Sequence, residues 1–363
     1  MPIDSEPIPP SVESDIQTPE LDNTPEVVGG LEVLKQRKEA GYVRGSRSDG
    51  NYVALAMGPG GWAGEISLAM AMHLDRQGLL DQVDMLIGNS IGCVQALYVG
   101  TKQFRDCFAG VLNHMIPKGK IPKMTTLREV IFEEYPVQFD KLPDDLPIVI
   151  GVTNLDNFGT RLIRSDEVEP TELAEWAIRA CHLPWLGGPP PEVNGLRYSD
   201  TGLAKPNTTE MTKQINAEAK DDENAVITHL IALENFIPSK PTIKNRLLAT
   251  LYNRPVDAFI KHYDPAADPA DVFKASISGG QFSDLRAYKK EFEGSLEGNV
   301  FEVDDGSGHQ LSVERVYPAD LEGLPGLTTN EIRRLRIGWI SGRMAMRTAL
   351  STTRESAKSQ VPT

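Results

Sequence analysis

Ser90 stands in the run Gly88-Asn89-Ser90-Ile91-Gly92, between an apolar stretch that reads as a strand and a pattern that reads as a helix. A serine hydroxyl serves as a nucleophile when a sharp strand-to-helix turn exposes it at a helix N-terminus, and such a turn needs small residues two before and two after it. Gly88 and Gly92 meet that need. Upstream, "VALAMGPGGWAG" (Val53 to Gly64) runs from an apolar strand through a glycine loop into a helix. Backbone N–H groups at such a place, together with the helix dipole, favour negative charge, either a bound phosphate or an oxyanion that develops during reaction. Gly60 and Gly61 are the expected donors, whereas Pro59 has no N–H and holds the loop in shape through its fixed φ. A dinucleotide site is the competing reading of these glycines. It fits poorly, because the spacing is G-x-G-x-x-x-G and the next strand ends at Ile87-Gly88-Asn89-Ser90 without a ribose-binding acid. A third segment, "NGLRYSDTGLAKPN" (Asn194 to Asn207), takes Asp200 out of a hairpin strand into Thr201-Gly202. A carboxylate there can point across a sheet top, and a simple Asx turn is the plainer alternative.

In order and spacing these segments resemble the patatin-like phospholipases, whose pattern is a G-G-G-x-R/K-G oxyanion loop, a G-x-S-x-G elbow and a D-G-G/A acid. Arg179-Ala180-Cys181-His182-Leu183-Pro184, with Pro189 to Gly195 and Arg197-Tyr198, is similar to the family's approach to its aspartate, and Leu324 to Gly338 to the closing helix of some bacterial members. The resemblance spans about residues 50–210, and 320–350 more weakly. It implies a three-layer α/β/α fold with a mixed, mostly parallel central sheet. It also implies an acyl-ester hydrolase with a Ser90/Asp200 dyad, an oxyanion hole at Gly60 and Gly61, and neither a metal nor an organic cofactor. Three positions depart from the pattern: Pro59 replaces the first glycine of the loop, Ala63 its basic residue and Thr201 the glycine after the acid. Without a charge at position 63 a phospholipid phosphate loses a partner, so neutral esters are the expected substrates. Trp62 reads as a core anchor.

Two rivals stand beside this reading. One is a non-catalytic lipid-binding or interaction protein on the same fold. The other is an α/β-hydrolase esterase in which His309, in "GSGHQ", completes the chain order Ser, Asp, His. Of the remaining histidines, His73 and His229 read as core residues, His114 and His262 lie near helix ends, and His182 falls near the site only through the resemblance. Lys240 to Tyr263 carries five basic residues and one acid among leucines and aromatics, a pattern that suits either peripheral contact with an anionic membrane or a helix covering the core.

These residues need an α/β scaffold to position them. Strands are expected at Tyr52–Met57, Val83–Ile87, Ile148–Thr153, Arg161–Arg164 and Ala225–Leu233, with a hairpin over Glu192–Ser199 turning on Asn194-Gly195. Helices are expected at Leu31–Ala40, Gly64–Gln77, Ile91–Phe108, Thr171–Cys181, Thr242–Tyr263, Ser283–Phe292 and Thr329–Thr352. Residues 1–30 hold six prolines and seven acids with no Lys or Arg and read as a tail, residues 31–352 as one domain, and 353–363 as a polar tail. The 363 residues carry 51 acids against 37 Lys and Arg, a net charge of -14 that argues against nucleic-acid partners. No stretch is apolar enough to span a bilayer and no secretory signal opens the chain, so a cytoplasmic location is expected, with unconventional export the alternative. Cys93, Cys107 and Cys181 lack the spacing of a disulfide framework or a zinc site and read as buried thiols.

Overall fold

The structure, a computed structural model, describes residues 27–46, 48–118, 123–157, 159–182, 189–203, 208–219, 222, 225–235, 300–319, 321–322, 324 and 331–359. Its strands are β1 (Val53–Met57), β2 (Met85–Gly88), β3 (Ile148–Asn154), β4 (Thr160–Arg164), β5 (Glu192–Val193), β6 (Leu196–Ser199), β7 (His229–Leu233), β8 (Val300–Asp304) and β9 (Gln310–Val316). They form one mixed sheet in the order β5-β6-β3-β2-β1-β7-β9-β8, with β4 also on β3. The five central strands, from β3 to β9, run parallel. The flanking strands β4, β6 and β8 are antiparallel to their neighbours.

Side chains alternate across this sheet because successive strand residues point to opposite faces. Val53, Leu55 and Met57 face the larger apolar cluster, which α1 (Gly30–Ala40), α2 (Glu65–Arg76), α3 (Ile91–Gly100), α6 (Pro170–Arg179) and α8 (Ile332–Ser359) complete with residues such as Leu34, Leu68, Leu97, Trp176 and Met346. Ala54 and Ala56 face the other side, where Met211 and Ile215 of α7 (Thr208–Glu218) cover them. The result is a three-layer α/β/α fold. Each fully buried large side chain, Leu55 or Met57 for example, contributes about 2 kcal/mol by leaving water. Both faces of β1, β2, β3 and β7 are covered, which is why they read as largely apolar runs.

The N-terminal edge of the parallel strands is tied by polar contacts. Arg37, buried, donates to Asp49, Asp84 and the carbonyls of Gln82 and Asn51, while the Val53 N–H donates to Asp84. The C-terminal edge carries the loops that bear the candidate site.

Several elements differ from expectation. The helix expected over Ile91–Phe108 is two, α3 and α4 (Phe104–Ala109), because Lys102 takes the left-handed conformation at φ 57 and breaks the ladder. α4 and α5 (Met124–Glu129) each run on into a π-helical turn, Gly110–Met115 and Val130–Glu134. Gly110 lets these turns meet, since a Cβ there would lie 2.7 Å from Val130 Cγ1. Helix α7 and strands β8 and β9 carry no expected counterpart. Gly29 and Gly30, assigned to the tail, are buried against Glu314 and Ile231. Helix α8 continues to Ser359, past the expected polar tail boundary, since no Gly or Pro interrupts it there. The helices expected at Thr242–Tyr263 and Ser283–Phe292, and His262, lie outside the described residues.

Candidate active site

Strand register brings Ser90 and Asp200 to one level. Gly88 pairs with Ile150 across β2 and β3, and Ser90, two residues further, reaches the height of Val152. Ser199 pairs with Thr153 on the antiparallel β6, so the next residue, Asp200, descends to that same height. The two side chains meet: Ser90 Oγ donates to Asp200 Oδ2 at 2.5 Å across 110 positions of sequence. Ser90 sits at φ 56, ψ -127, outside the favoured regions for a residue with a Cβ, at a cost of about 1–3 kcal/mol. Close packing holds it there. A Cβ on Gly88 would lie 2.5 Å from Cys93 Cα, and one on Gly92 would overlap the Met57 carbonyl oxygen.

Asp200 is 4% exposed. Burial raises its carboxyl to about 6, against the hydrogen bonds from the Ser90 hydroxyl and the Gly202 N–H, which lower it. The Gly202 N–H reaches Oδ1 at 2.8 Å, leaving Oδ2 for Ser90. The backbone is held on both sides: the Asp200 N–H donates to the His182 carbonyl at 2.9 Å, and Thr153 Oγ1 donates to the Asp200 carbonyl at 2.8 Å. Thr201 is fully buried; its hydroxyl donates to the Gly151 carbonyl and its methyl occupies the space that Gly151 leaves by having no side chain.

The glycine loop lies beside the elbow because Met57 and Gly88 are register partners. Gly61 takes φ 51, in the left-handed region, and opens a short 3-10 turn into α2. Among the described residues neither the Gly60 nor the Gly61 N–H is taken up by a backbone partner. Asn235, just past β7, ties this loop to α2. Its Nδ2 donates to the carbonyls of Gly58 at 2.9 Å and Pro59 at 3.2 Å, and its Oδ1 accepts the Ser67 N–H at 2.9 Å. Ser67 Oγ in turn reaches Gln95 Oε1 on α3 at 3.0 Å. Asn235, Ser67 and Gln95 were not singled out from the sequence; only the polar character of Gln95 and Asn235 amid apolar neighbours hints at them. Trp62 is 3% exposed and belongs to the larger core cluster. Ala63 is fully buried, so a cation at this position would enter the core rather than meet a substrate phosphate.

The other sequence candidates fall elsewhere. His309 precedes β9, whose Val316 pairs with Leu233 at the edge that bears the site, so seven strand residues, about 23 Å, separate it from that edge. It bonds Ser307 Oγ at 3.0 Å in the β8–β9 turn, and the triad with Ser90 and Asp200 is excluded by this placement. His182 is buried with its ring on Ser199 Oγ at 3.3 Å, beneath Asp200. His114 contacts Glu129 at 2.9 Å, His73 lies half-buried between α2 and α8, and His229 Nδ1 meets Thr228 Oγ1 at 2.9 Å. Cys93 and Cys107 are buried as expected, but Cys181 is only partly so, its thiol donating to the Ser90 carbonyl at 3.2 Å. Among the described residues no group of three or more His, Cys, Asp or Glu is placed to hold a metal ion, and no helix is long and apolar enough to cross a membrane.

No protein-family model and no curated protein matches this sequence. Among solved structures, VipD from Legionella pneumophila aligns at 11% identity with a TM-score of 0.38, over 84% of this chain and 67% of that one.

Proposed function

We propose that the protein is a serine acyl-ester hydrolase of patatin-like type, with Ser90 as nucleophile and Asp200 as the single base. The observation that carries this reading is the 2.5 Å contact between Ser90 Oγ and Asp200 Oδ2 at a strained strand-to-helix turn. A capping serine needs neither feature.

Each chemical step has a group to perform it. Asp200 takes the Ser90 proton as Oγ attacks the ester carbonyl carbon, and the N–H groups of Gly60 and Gly61 receive the oxyanion that forms. The tetrahedral species collapses and the alcohol leaves with the proton held on Asp200. Water then attacks the acyl-enzyme, Asp200 accepting its proton and returning it to Ser90 as the carboxylic acid departs. A carboxyl raised to about 6 suits both directions of transfer, because a base whose pKa lies near the working pH is ionised when it must accept and acidic enough to donate. Asp200 needs no imidazole in this scheme, consistent with His182 and His309 being engaged elsewhere.

The glycine loop from Gly58 to Gly64 holds no Lys or Arg, which favours uncharged esters over head groups held by loop contacts. Covalent labelling by a fluorophosphonate probe tests the reading, since the probe reports an activated serine without knowledge of the substrate. Wild type is expected to label once, at Ser90, and Ser90→Ala not at all. A folded wild-type sample that does not label, or labelling that survives Ser90→Ala, overturns hydrolysis and leaves the non-catalytic lipid-binding reading.

A further inference from the structure

Among the described residues, helix α8 presents a face that packing against the rest of the fold does not use. Arg333, Arg336, Arg343 and Arg347 are all exposed, and at 100° per residue they fall within one third of the helix circumference. Among the described residues none of these four has an ion pair, in contrast to Arg334, which lies off this face and meets Glu331 at 3.3 Å. Ile340 stands among the arginines and Ile332 and Met344 flank them, these three being 52%, 45% and 47% exposed. No acid lies on the stripe in a chain whose net charge is -14.

The position of this stripe is set by how α8 packs on α2. Gly342 touches the Ile66 carbonyl so closely that a Cβ would overlap it. Nine residues after Ser341, the Leu350 carbonyl accepts from Lys35 Nζ at 2.8 Å, on the helix whose Arg37 meets Gln82 and Asp84 at the N-terminal edge of the sheet, the edge toward which α2 also runs. The two helices therefore run in the same direction. Ser341 Oγ donates to the carbonyl of Ala319, which follows the C-terminal end of β9, at 2.7 Å. Position 341 is thus level with the sheet edge that carries Ser90. The ten residues from Ile332 to Ser341 extend about 15 Å beyond it, on the side of the sheet's C-terminal edge, where the loops that bear the site lie.

We propose that this face of α8 docks the protein on an anionic lipid bilayer, the four arginines over lipid phosphates and Ile332, Ile340 and Met344 entering the acyl boundary. The pattern is that of an interfacial helix, in which apolar burial and charge attraction act together. A purely acidic partner segment would match the charge but leaves the three apolar side chains without a place to enter. The inference deepens the acyl-ester reading, on which it rests for its purpose: it names a membrane as the source of the ester.

Co-sedimentation of the full chain with vesicles of phosphatidylcholine, with and without about one third phosphatidylserine, tests this. Wild type is expected to partition onto the anionic vesicles, weakly or not at all onto the neutral ones, and less as salt rises. Removing one arginine from an anionic surface costs about fivefold in partitioning, so Arg336→Gln with Arg343→Gln should lower it about 25-fold, and Ile340→Ser with Met344→Ser should lower it as well. Turnover of a soluble neutral ester and the melting temperature should not change in either variant. Absence of wild-type binding, equal binding to both vesicle types, or full binding by the arginine variant overturns the proposal. A wild type that binds vesicles but hydrolyses no ester and takes no probe instead overturns the hydrolase reading alone.

Discussion

Asn235 Nδ2 donates to the Gly58 carbonyl at 2.9 Å while its Oδ1 accepts the Ser67 N–H, so one side chain spans the glycine loop and the first turn of the helix behind it. Asn235→Ala would leave these groups buried and unpartnered, costing about 1–3 kcal/mol of stability. A loop no longer held in place should lose transition-state contacts first. The expected result is a kcat lower by roughly ten- to a hundredfold with KM for a small ester nearly unchanged. A rise in KM at constant kcat would show instead that Asn235 serves substrate binding.

The raised Asp200 carboxyl sets a pH profile. The proposed base works only when ionised, so kcat/KM on a neutral ester should climb with pH, reach half its plateau near 6 and stay level above about 7. A midpoint near 4 would mean that burial is not controlling this group.

The same shift has a cost in stability, with a sign that can be checked. The folded carboxyl at about 6 lies above the roughly 3.9 of an unfolded aspartate, so folding takes up a proton and stability falls as pH rises between the two values. Ionised Asp200 then destabilises the fold by about 3 kcal/mol at pH 8 and by roughly half that at pH 5. Asp200→Asn should abolish turnover yet raise stability in urea, more at pH 8 than at pH 5. Equal changes at both pH values would contradict the linkage.

Glycine at 92 is a steric requirement, in contrast to glycine at 306. Gly92→Ala drives a Cβ into the Met57 carbonyl at the elbow, where overpacking against backbone should cost about 3 kcal/mol and remove probe labelling. Gly306→Ala meets open space and bears only the strain of φ 83, about 1 kcal/mol. Parallel melting curves of the two variants measure the difference.

His309→Ala should keep wild-type kcat/KM within about twofold, because the residue lies a full strand length from the site edge. A loss of several powers of ten, as expected of a triad member, would require a different arrangement of the sheet.

The chain by itself determined the elements whose signal is local. The elbow was legible because Gly88 and Gly92 flank Ser90 at the spacing that a strand-to-helix turn demands, and strands β1, β2, β3 and β7 because burial on both faces leaves a largely apolar run. The Asn194-Gly195 hairpin was legible for a similar reason, since both residues take positive φ. β8, β9 and α7 were not, because their patterns acquire meaning only from the neighbours they pair with or cover. Glu314 and Arg315, both buried in β9, are charged residues that no rule of alternation would place in a sheet centre; the Leu31 N–H and Glu234 receive them there. Tertiary structure alone decided which groups meet. Register brings Asp200 down to Ser90 and sends His309 to the opposite edge, and the same packing places Asn235 on the glycine loop. Chain order pointed to Asp200 as the partner of Ser90 but left His309 standing as a third member. Proton transfer needs contact within hydrogen-bond reach, and between residues 110 apart that distance is set by strand pairing, which the local sequence does not contain.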